Sequence, residues 1–322
     1  MPQSEFNIIE QYFTRQRVQR DDVKLGIGDD AAILSVPPHM QLCIAIDTLV
    51  SGIHFPTNTS AEDIGYKALA VNLSDMAAMG AEPAWFTLAL SLPTTRHEWL
   101  AGFAKGLFTL AEEYHLQLIG GDTTQGPLTV SIQIAGYLPR DTALTRAGAR
   151  PGDSIYVTGT LGDAALGLRC LQQVDKYTCD THALNRLNRP SPRIKIGQAI
   201  RDIASACIDI SDGLLADLGH ILTASQMGAR LHRNHIPLSE TMKALCTEDE
   251  DHYAMVLAGG DDYELCFCVS PDKASELDTI AAEHGVGLTR IGQVESQPGL
   301  RLYDGEKICK VNYQPGFEHF TG

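Results

Sequence analysis

Six aspartates, Asp30, Asp47, Asp75, Asp122, Asp209 and Asp212, lie in short segments marked by glycine, serine or threonine. These are Gly28-Asp29-Asp30, Asp47-Thr48, Ser74-Asp75, Gly120-Gly121-Asp122 and Asp209-Ile210-Ser211-Asp212-Gly213. Each reads as the polar end of an apolar element. Carboxylates gathered in one place repel, at roughly 4 kcal/mol per pair 4 Å apart under an effective dielectric of about 20, so their convergence requires a cation. Ligands that are all oxygen suit magnesium. The chemistry is then metal-assisted handling of phosphates. Taken singly, Asp29 and Asp30 are also ordinary turn formers, because aspartate hydrogen-bonds its own nearby backbone. Five segments repeating the theme weigh against turns alone.

Other residues fit the same chemistry and also have plainer uses. Gly120-Gly121-Asp122 follows the apolar run Leu116 to Ile119; two glycines let backbone N–H groups approach a phosphate while Asp122 faces a metal, or the three form a tight turn. Gly259-Gly260-Asp261-Asp262-Tyr263-Glu264 sets a flexible pair and three acids before an apolar strand, or is a solvated turn. His54 fits a surface loop as well as a site. Arg146, one of few cations near a hinge, suits a bidentate phosphate clamp or an exposed ion pair. Phe317, within Gly316-Phe317-Glu318-His319-Phe320, either plugs a core edge or stacks on a planar ligand. No Gly-x4-Gly-Lys-[Ser/Thr] motif occurs, and Gly26-x-Gly28 lacks the third glycine of a dinucleotide fingerprint.

The 322 residues, 44% hydrophobic, suffice for a sizeable core and favour two domains. A formal charge of -15 without a basic block disfavours nucleic acid or an anionic membrane as partner. No apolar run approaches a membrane span, and Met1-Pro2-Gln3-Ser4-Glu5 lacks a secretory pattern, so a cytoplasmic location is expected. Cys43, Cys207, Cys266 and Cys268, of eight cysteines, read as buried thiols, and the absence of Cys-x-x-Cys argues against zinc.

The elements that must position these residues are mixed. Leu42 to Ile46 and Val130 to Tyr137 read as strands, Ala61 to Met79 and Trp99 to Tyr114 as helices. Ser60 with Asp63 resembles an acidic capping box, Gly80 stands where a left-handed C-terminal residue is wanted, and Asn72 and Asp75 share a face one turn apart. A boundary is expected around residues 146–153, giving domains of residues 1–148 and 149–322. Beyond it the pattern predicts a strand Ser154 to Thr158, a glycine-opened helix Gly159 to Leu171, a polar stretch to about Asn188 and a helix Arg193 to Ala204. A helix Gly213 to Ser225, a strand Tyr263 to Val269 and a helix Lys273 to His284 follow. The fold class is α/β (α+β) in two mixed domains.

Together the segments resemble the thiamine-monophosphate kinase family, of the superfamily that includes aminoimidazole ribonucleotide synthetase. The resemblance runs the full length. It is carried by Leu25-Gly-Ile-Gly-Asp-Asp-Ala-Ala32, by Asp47-Thr-Leu-Val50 with Gly52 and His54, and by Lys67-Ala-Leu-Ala-Val-Asn-Leu-Ser-Asp-Met-Ala-Ala-Met-Gly80. Gly120-Gly-Asp-Thr-Thr124, Leu144-Thr-Arg146, Asp209-Ile-Ser-Asp-Gly-Leu214 and Gly259-Gly-Asp-Asp-Tyr-Glu-Leu265 complete it. The resemblance implies ATP-dependent phosphorylation of thiamine monophosphate to thiamine diphosphate by direct in-line transfer, without a covalent nucleophile. It implies several magnesium ions on Asp30, Asp47, Asp75, Asp122, Asp209 and Asp212, ATP contacts from Gly121, Asp122, Arg146 and Ser211, and substrate contacts from His54, Asp261 and Phe317. It also implies an N-terminal ATP, magnesium and dimerisation domain, its strands pairing across a homodimer into a closed barrel, and a C-terminal domain completing the ATP and substrate site. Two departures stand out. Ala45-Ile46 replaces the hydroxyl residues usual before the aspartate, so any metal contact at Ile46 uses its backbone carbonyl. Asp261 stands where the family more often has Glu, a shorter reach.

The rival readings are another superfamily enzyme, of the aminoimidazole ribonucleotide synthetase or selenophosphate synthetase kind, and a non-catalytic Mg-ATP sensor. The first cysteine is Cys43, inside an apolar strand, where a selenophosphate synthetase needs a reactive one in an amino-terminal arm.

Overall fold

A computed structural model describes residues 5–14, 16–172, 180–248, 252–309 and 316–317. The chain divides into two compact units, Met1–Met76 with Ala81–Asp141, and Ala77–Gly80 with Thr142–Gly322. Among the described residues no helix is long and apolar enough to cross a membrane.

The first unit opens with α1 (Glu5–Ile8), continued by a π-helical turn at Ile9–Phe13, then β1 (Val23–Leu25) and β2 (Ile33–Leu34). It proceeds through β3 (Met40–Val50), α2 (Ala61–Ala78), β4 (Glu82–Leu92), α3 (His97–Glu113), β5 (Gln117–Gln125) and β6 (Thr129–Pro139). The last four strands form one open sheet in the order β3-β6-β4-β5, parallel only between β4 and β5. Alternation sets its two faces. Val130, Ile132 and Ile134 of β6 and Phe86, Leu88 and Leu90 of β4 are buried, whereas Leu42, Ile44 and Ile46 of the edge strand β3 lie exposed on the other parity. Helix α3 buries Leu100, Phe103, Ala104, Leu107, Leu110 and Ala111, a 3.6-residue stripe. Helix α2 starts at the reciprocal Ser60–Asp63 cap and is followed by Gly80 at φ 66°.

The second unit comprises β7 (Ser154–Thr158), α4 (Asp163–Leu171), α5 (Thr181–Asn188), α6 (Ile194–Ala199), β8 (Ala204–Asp209), α7 (Leu214–Ser225) and β9 (Gly228–His232). It continues with α8 (Glu240–Glu248), α9 (Tyr253–Ala258), β10 (Leu265–Val269), α10 (Glu276–His284), β11 (Leu288–Glu295), β12 (Gly299–Asp304) and β13 (Lys307–Ile308). Its seven strands run in the order β13-β12-β9-β11-β7-β10-β8, parallel only between β9 and β12. Every residue of β10 is buried, and Ile155, Val157, Ile208, Leu218 and Ile221 belong to the core beneath.

Several sequence expectations shift. Asp47 lies within β3 and Asp75 within α2, not at their polar ends. Gly120-Gly121-Asp122 is no turn: it lies inside β5, beyond a register shift against β4. A Cβ on Gly121 would lie 1.9 Å from the Leu88 carbonyl oxygen, so glycine there permits close strand approach. The helix after β7 begins at Asp163, because Gly162 holds φ 88°. The expected polar stretch ends in α5, whose N-cap Asp180 accepts the Ala183 N–H at 2.6 Å; residues 173–179 fall outside the described residues. Helix α6 ends at Ala199 and Ala204 already opens β8, while Tyr263, at φ 50°, precedes β10. Cys207, Cys266 and Cys268 are buried thiols, but Cys43 is only half-buried because its strand is an edge.

Candidate active site

In the first unit the register arranges the acids in rows. Asp47, Ile132, Leu88 and Gly121 form one row across the sheet, and Thr48, Ser131, Ala89 and Asp122 form the next. Successive rows project to opposite faces. Asp47 therefore shares the parity of Cys43, whose thiol is raised by burial and by the charge of Asp75 on α2. Asp122 instead lines a cavity of about 520 Å³ with Gly28, Asp30 and Gly121, walled on its apolar side by Phe6 and Phe13. The structure thus places Asp30 with Asp122 on one cavity, whose lining residues do not include Asp47. Asp29 orders the loop by accepting the Asp30 N–H at 2.8 Å. His54 closes the turn after β3: its Nδ1 accepts the Val50 N–H at 2.9 Å, so a ligand contact falls to Nε2. The side chain of Ile46 is exposed and has no donor atom.

In the second unit the site is built around the loop after β8. Asp209 ends that strand and is buried. The Ile210 N–H donates to the Glu264 carbonyl, and the Ile210 carbonyl accepts the Tyr263 N–H, both at 2.8 Å. The Ser211 carbonyl accepts the Asp261 N–H at 2.8 Å, and the Asp212 carbonyl accepts the Phe317 N–H at 3.2 Å. Ser211, Asp212, Asp261 and Phe317 are therefore brought together by backbone hydrogen bonds; Glu318, His319 and Phe320 lie outside the described residues. Among the described residues the Ser211 hydroxyl has no hydrogen-bond partner, and the Arg146 guanidinium has neither hydrogen bond nor ion pair. Arg146 stands apart from this loop. Thr145 accepts the Cys207 N–H, and Ser225, at the far end of α7, donates to the Arg146 carbonyl. The twelve residues of α7 span about 18 Å.

Asp217, Arg186 and Arg193 were not singled out from the sequence, and Glu264 was named there only as one of three acids before a strand. Asp217, in the first turn of α7, accepts the N–H groups of Ser211, Asp212 and Gly213 on one oxygen, each at 3.0 Å. Its sequence signal is an acid in a first helical turn, a common pattern. Glu264, fully buried, accepts from Thr158 at 2.5 Å, Arg186 at 2.8 Å and Nε and Nη2 of Arg193 at 2.6 Å each. Arg186 also donates to the Asp262 carbonyl at 2.7 Å. This buried cluster anchors the strand entry that carries Asp261. Sequence offers no direct signal for it, because Arg186 and Arg193 lie 78 and 71 residues from Glu264.

Among the described residues no three Asp, Glu, His or Cys side chains form a ready cage for a metal ion. Two observations nevertheless fit a hard cation. Burial, then the charges of Asp209 and Asp212, push Asp217 up to about 7, against the pull of the Gly213 and Asp212 N–H groups. Such crowding of like charges is relieved by a cation. One turn before Asp75, the buried Asn72 Oδ1 accepts no hydrogen bond among the described residues, an orphan acceptor that an ion or its water would satisfy. The donors are oxygens throughout, as magnesium prefers.

An open mixed sheet in one unit, a seven-stranded sheet in the other and acids at both define a two-domain α/β protein of the AIR synthase type. The chain matches AIR synthase related protein, N-terminal domain, over residues 28–138, and the corresponding C-terminal domain over residues 150–305. Thiamine-monophosphate kinase of Salmonella typhimurium strain LT2 is 49% identical over 321 residues, 98% of each chain. The crystal structure of thiamine-monophosphate kinase from Stenotrophomonas maltophilia K279a is 47% identical, with a TM-score of 0.83 over 88% of this chain and 92% of that one. AaThiL complexed with AMPPCP and TMP is 31% identical, with a TM-score of 0.77 over 91% and 92%. This chain belongs to the thiamine-monophosphate kinase family.

Proposed function

We propose that this chain transfers the terminal phosphoryl group of ATP to thiamine monophosphate, giving thiamine diphosphate and ADP. The observation that carries this reading is the 49% identity over 98% of both chains to a thiamine-monophosphate kinase. The relative AaThiL, complexed with AMPPCP and TMP, binds an ATP analogue and this substrate together.

A phosphate oxygen of thiamine monophosphate attacks the γ-phosphorus in line as the bond to the β–γ bridging oxygen breaks. The attacking group is already an anion near neutral pH, so no base and no covalent nucleophile is needed. The protein contributes position and charge. Asp30, Asp47, Asp75, Asp122, Asp209, Asp212 and the Ile46 carbonyl hold magnesium, which when bound neutralises the phosphate charges. Asp122 also faces ATP, with Gly121. Arg146, which has no ion pair among the described residues, meets the nucleotide's anionic phosphates, and Ser211 contacts the nucleotide through its hydroxyl, since its N–H is taken by Asp217. His54, Asp261 and Phe317 meet the flat, cationic thiamine end, where an acid and an aromatic face suit it. Residues 1–148 supply the ATP, magnesium and dimerisation domain and residues 149–322 complete the site. The exposed stripe of β3 supports pairing of two copies into a barrel, and the location is cytoplasmic.

Purified protein with Mg-ATP is expected to release ADP when thiamine monophosphate is added and not when thiamine is added, with thiamine diphosphate as product. Tight Mg-ATP binding without turnover would instead identify a sensor.

A further inference from the structure

Asp217 has no part in the transfer proposed above, yet the loop that carries Ser211 and Asp212 is organised on it. It is 2% exposed, and one oxygen receives three consecutive N–H groups at 3.0 Å each. Successive N–H groups turned toward one point form a nest that ordinarily takes an anion such as a phosphate oxygen. Here the anion is built into the chain. A bound phosphate therefore finds those N–H groups already taken, and residues 211 and 212 have only their side chains left to offer. The opposite edge of the loop is fastened as well, because the carbonyls of Ile210, Ser211 and Asp212 accept N–H groups from Tyr263, Asp261 and Phe317. With both edges tied, the directions in which the Ser211 hydroxyl and the Asp212 carboxylate leave the backbone are fixed before any ligand arrives.

We propose that Asp217 is the positioning residue of this loop: its carboxylate replaces a phosphate in the nest and thereby aims Ser211 and Asp212 at nucleotide and metal. The proposal rests on the roles assigned above to those two residues. A charge-assisted acceptor for three donors is worth more than one neutral hydrogen bond. Removing its charge while keeping its shape loosens the loop and weakens the metal site without touching a ligand.

The test avoids thiamine monophosphate, so it stays informative should the kinase reading fail. Free Mn²⁺ is counted by electron paramagnetic resonance during titration of wild type, Asp217→Asn and Leu218→Ala, the last removing a buried apolar side chain of the same helix. Asp217→Asn is expected to weaken Mn²⁺ binding about tenfold, while Leu218→Ala keeps the wild-type curve. An Asp217→Asn curve superimposed on wild type, or an equal loss in Leu218→Ala, overturns the proposal. Should Asp217→Asn fail to fold, amide exchange in the metal-free wild type decides. Ser211, Asp212 and Gly213 are expected to exchange at least about a hundredfold slower than an open loop; exchange at the open-loop rate overturns it.

Discussion

The hydroxyl of Tyr263 meets a carboxylate oxygen of Asp261 at 3.0 Å, and both residues hold left-handed backbone, at φ 50° and 61°. That conformation costs a residue with a Cβ roughly 1–2 kcal/mol, and such strain gathers at functional sites. The tie fixes the rotamer of Asp261. Tyr263→Phe keeps the ring and removes the tie, worth about 0.5–1.5 kcal/mol. Steady-state kinetics should show KM for thiamine monophosphate raised roughly two- to twelve-fold, with kcat and the KM for ATP close to wild type. An unchanged KM for thiamine monophosphate would free Asp261 of its substrate role or Tyr263 of its tie.

Elements in the first unit are locked by Asp22, which lies just before β1. One oxygen accepts the indole N–H of Trp85 on β4 at 2.9 Å, the other the hydroxyl of Tyr137 on β6 at 2.5 Å, and Arg20 donates to both. Burial alone would raise this carboxyl, but the hydrogen bonds from Arg20, Tyr137 and Trp85 outweigh it and hold it at about 2. A folded value below the unfolded one means stability that is full above about pH 4 and drains away as the pH falls toward 2. Asp22→Asn should cost about 1–3 kcal/mol at pH 7, since buried donors lose their charged acceptor. Urea midpoints should show the gap to wild type narrowing at pH 3; a gap that widens there contradicts the assignment. Asp22 carries no local pattern in the sequence. What was legible there is local: β7 stands at the expected residues and α2 begins at its Ser60–Asp63 cap, because a period and a cap are read from neighbours. The acids of the site were legible as types, and Ser211, Asp212, Asp261 and Phe317 do meet. The turn weighed as one reading of Gly120-Gly121 is not formed, and the reason for glycine at 121 is the Leu88 carbonyl, 33 residues away and adjacent only in the folded sheet. Asp217, Arg186 and Arg193 escaped for the same cause, and Glu264 was legible only as an acid before a strand: their partners are set by packing, not spacing.

At the scale of the whole molecule, β3 poses a problem that a single chain leaves unsolved. It is an eleven-residue edge strand, and Leu42, Ile44 and Ile46 are 46%, 52% and 64% exposed on one parity. Long apolar edges invite pairing with another chain, and soluble proteins blunt them with charge, proline or a covering element. The exposed parity of β3 carries none of these between Leu42 and Thr48. Fully burying an isoleucine side chain is worth about 1.5–3 kcal/mol, so half-exposed stripes of three on each of two copies give such pairing a driving force. Ile44→Asp tests this without altering a residue assigned to metal or substrate. Sedimentation equilibrium should find the wild type dimeric at about 10 µM and the variant's dimer dissociation constant raised at least about a hundredfold, the effect of burying an unpaired carboxylate. The variant should keep its circular dichroism spectrum, because residue 44 lies outside the core of the unit. A monomeric wild type, or a variant that dimerises as tightly, would leave the stripe without a partner and remove the basis for a barrel shared between copies.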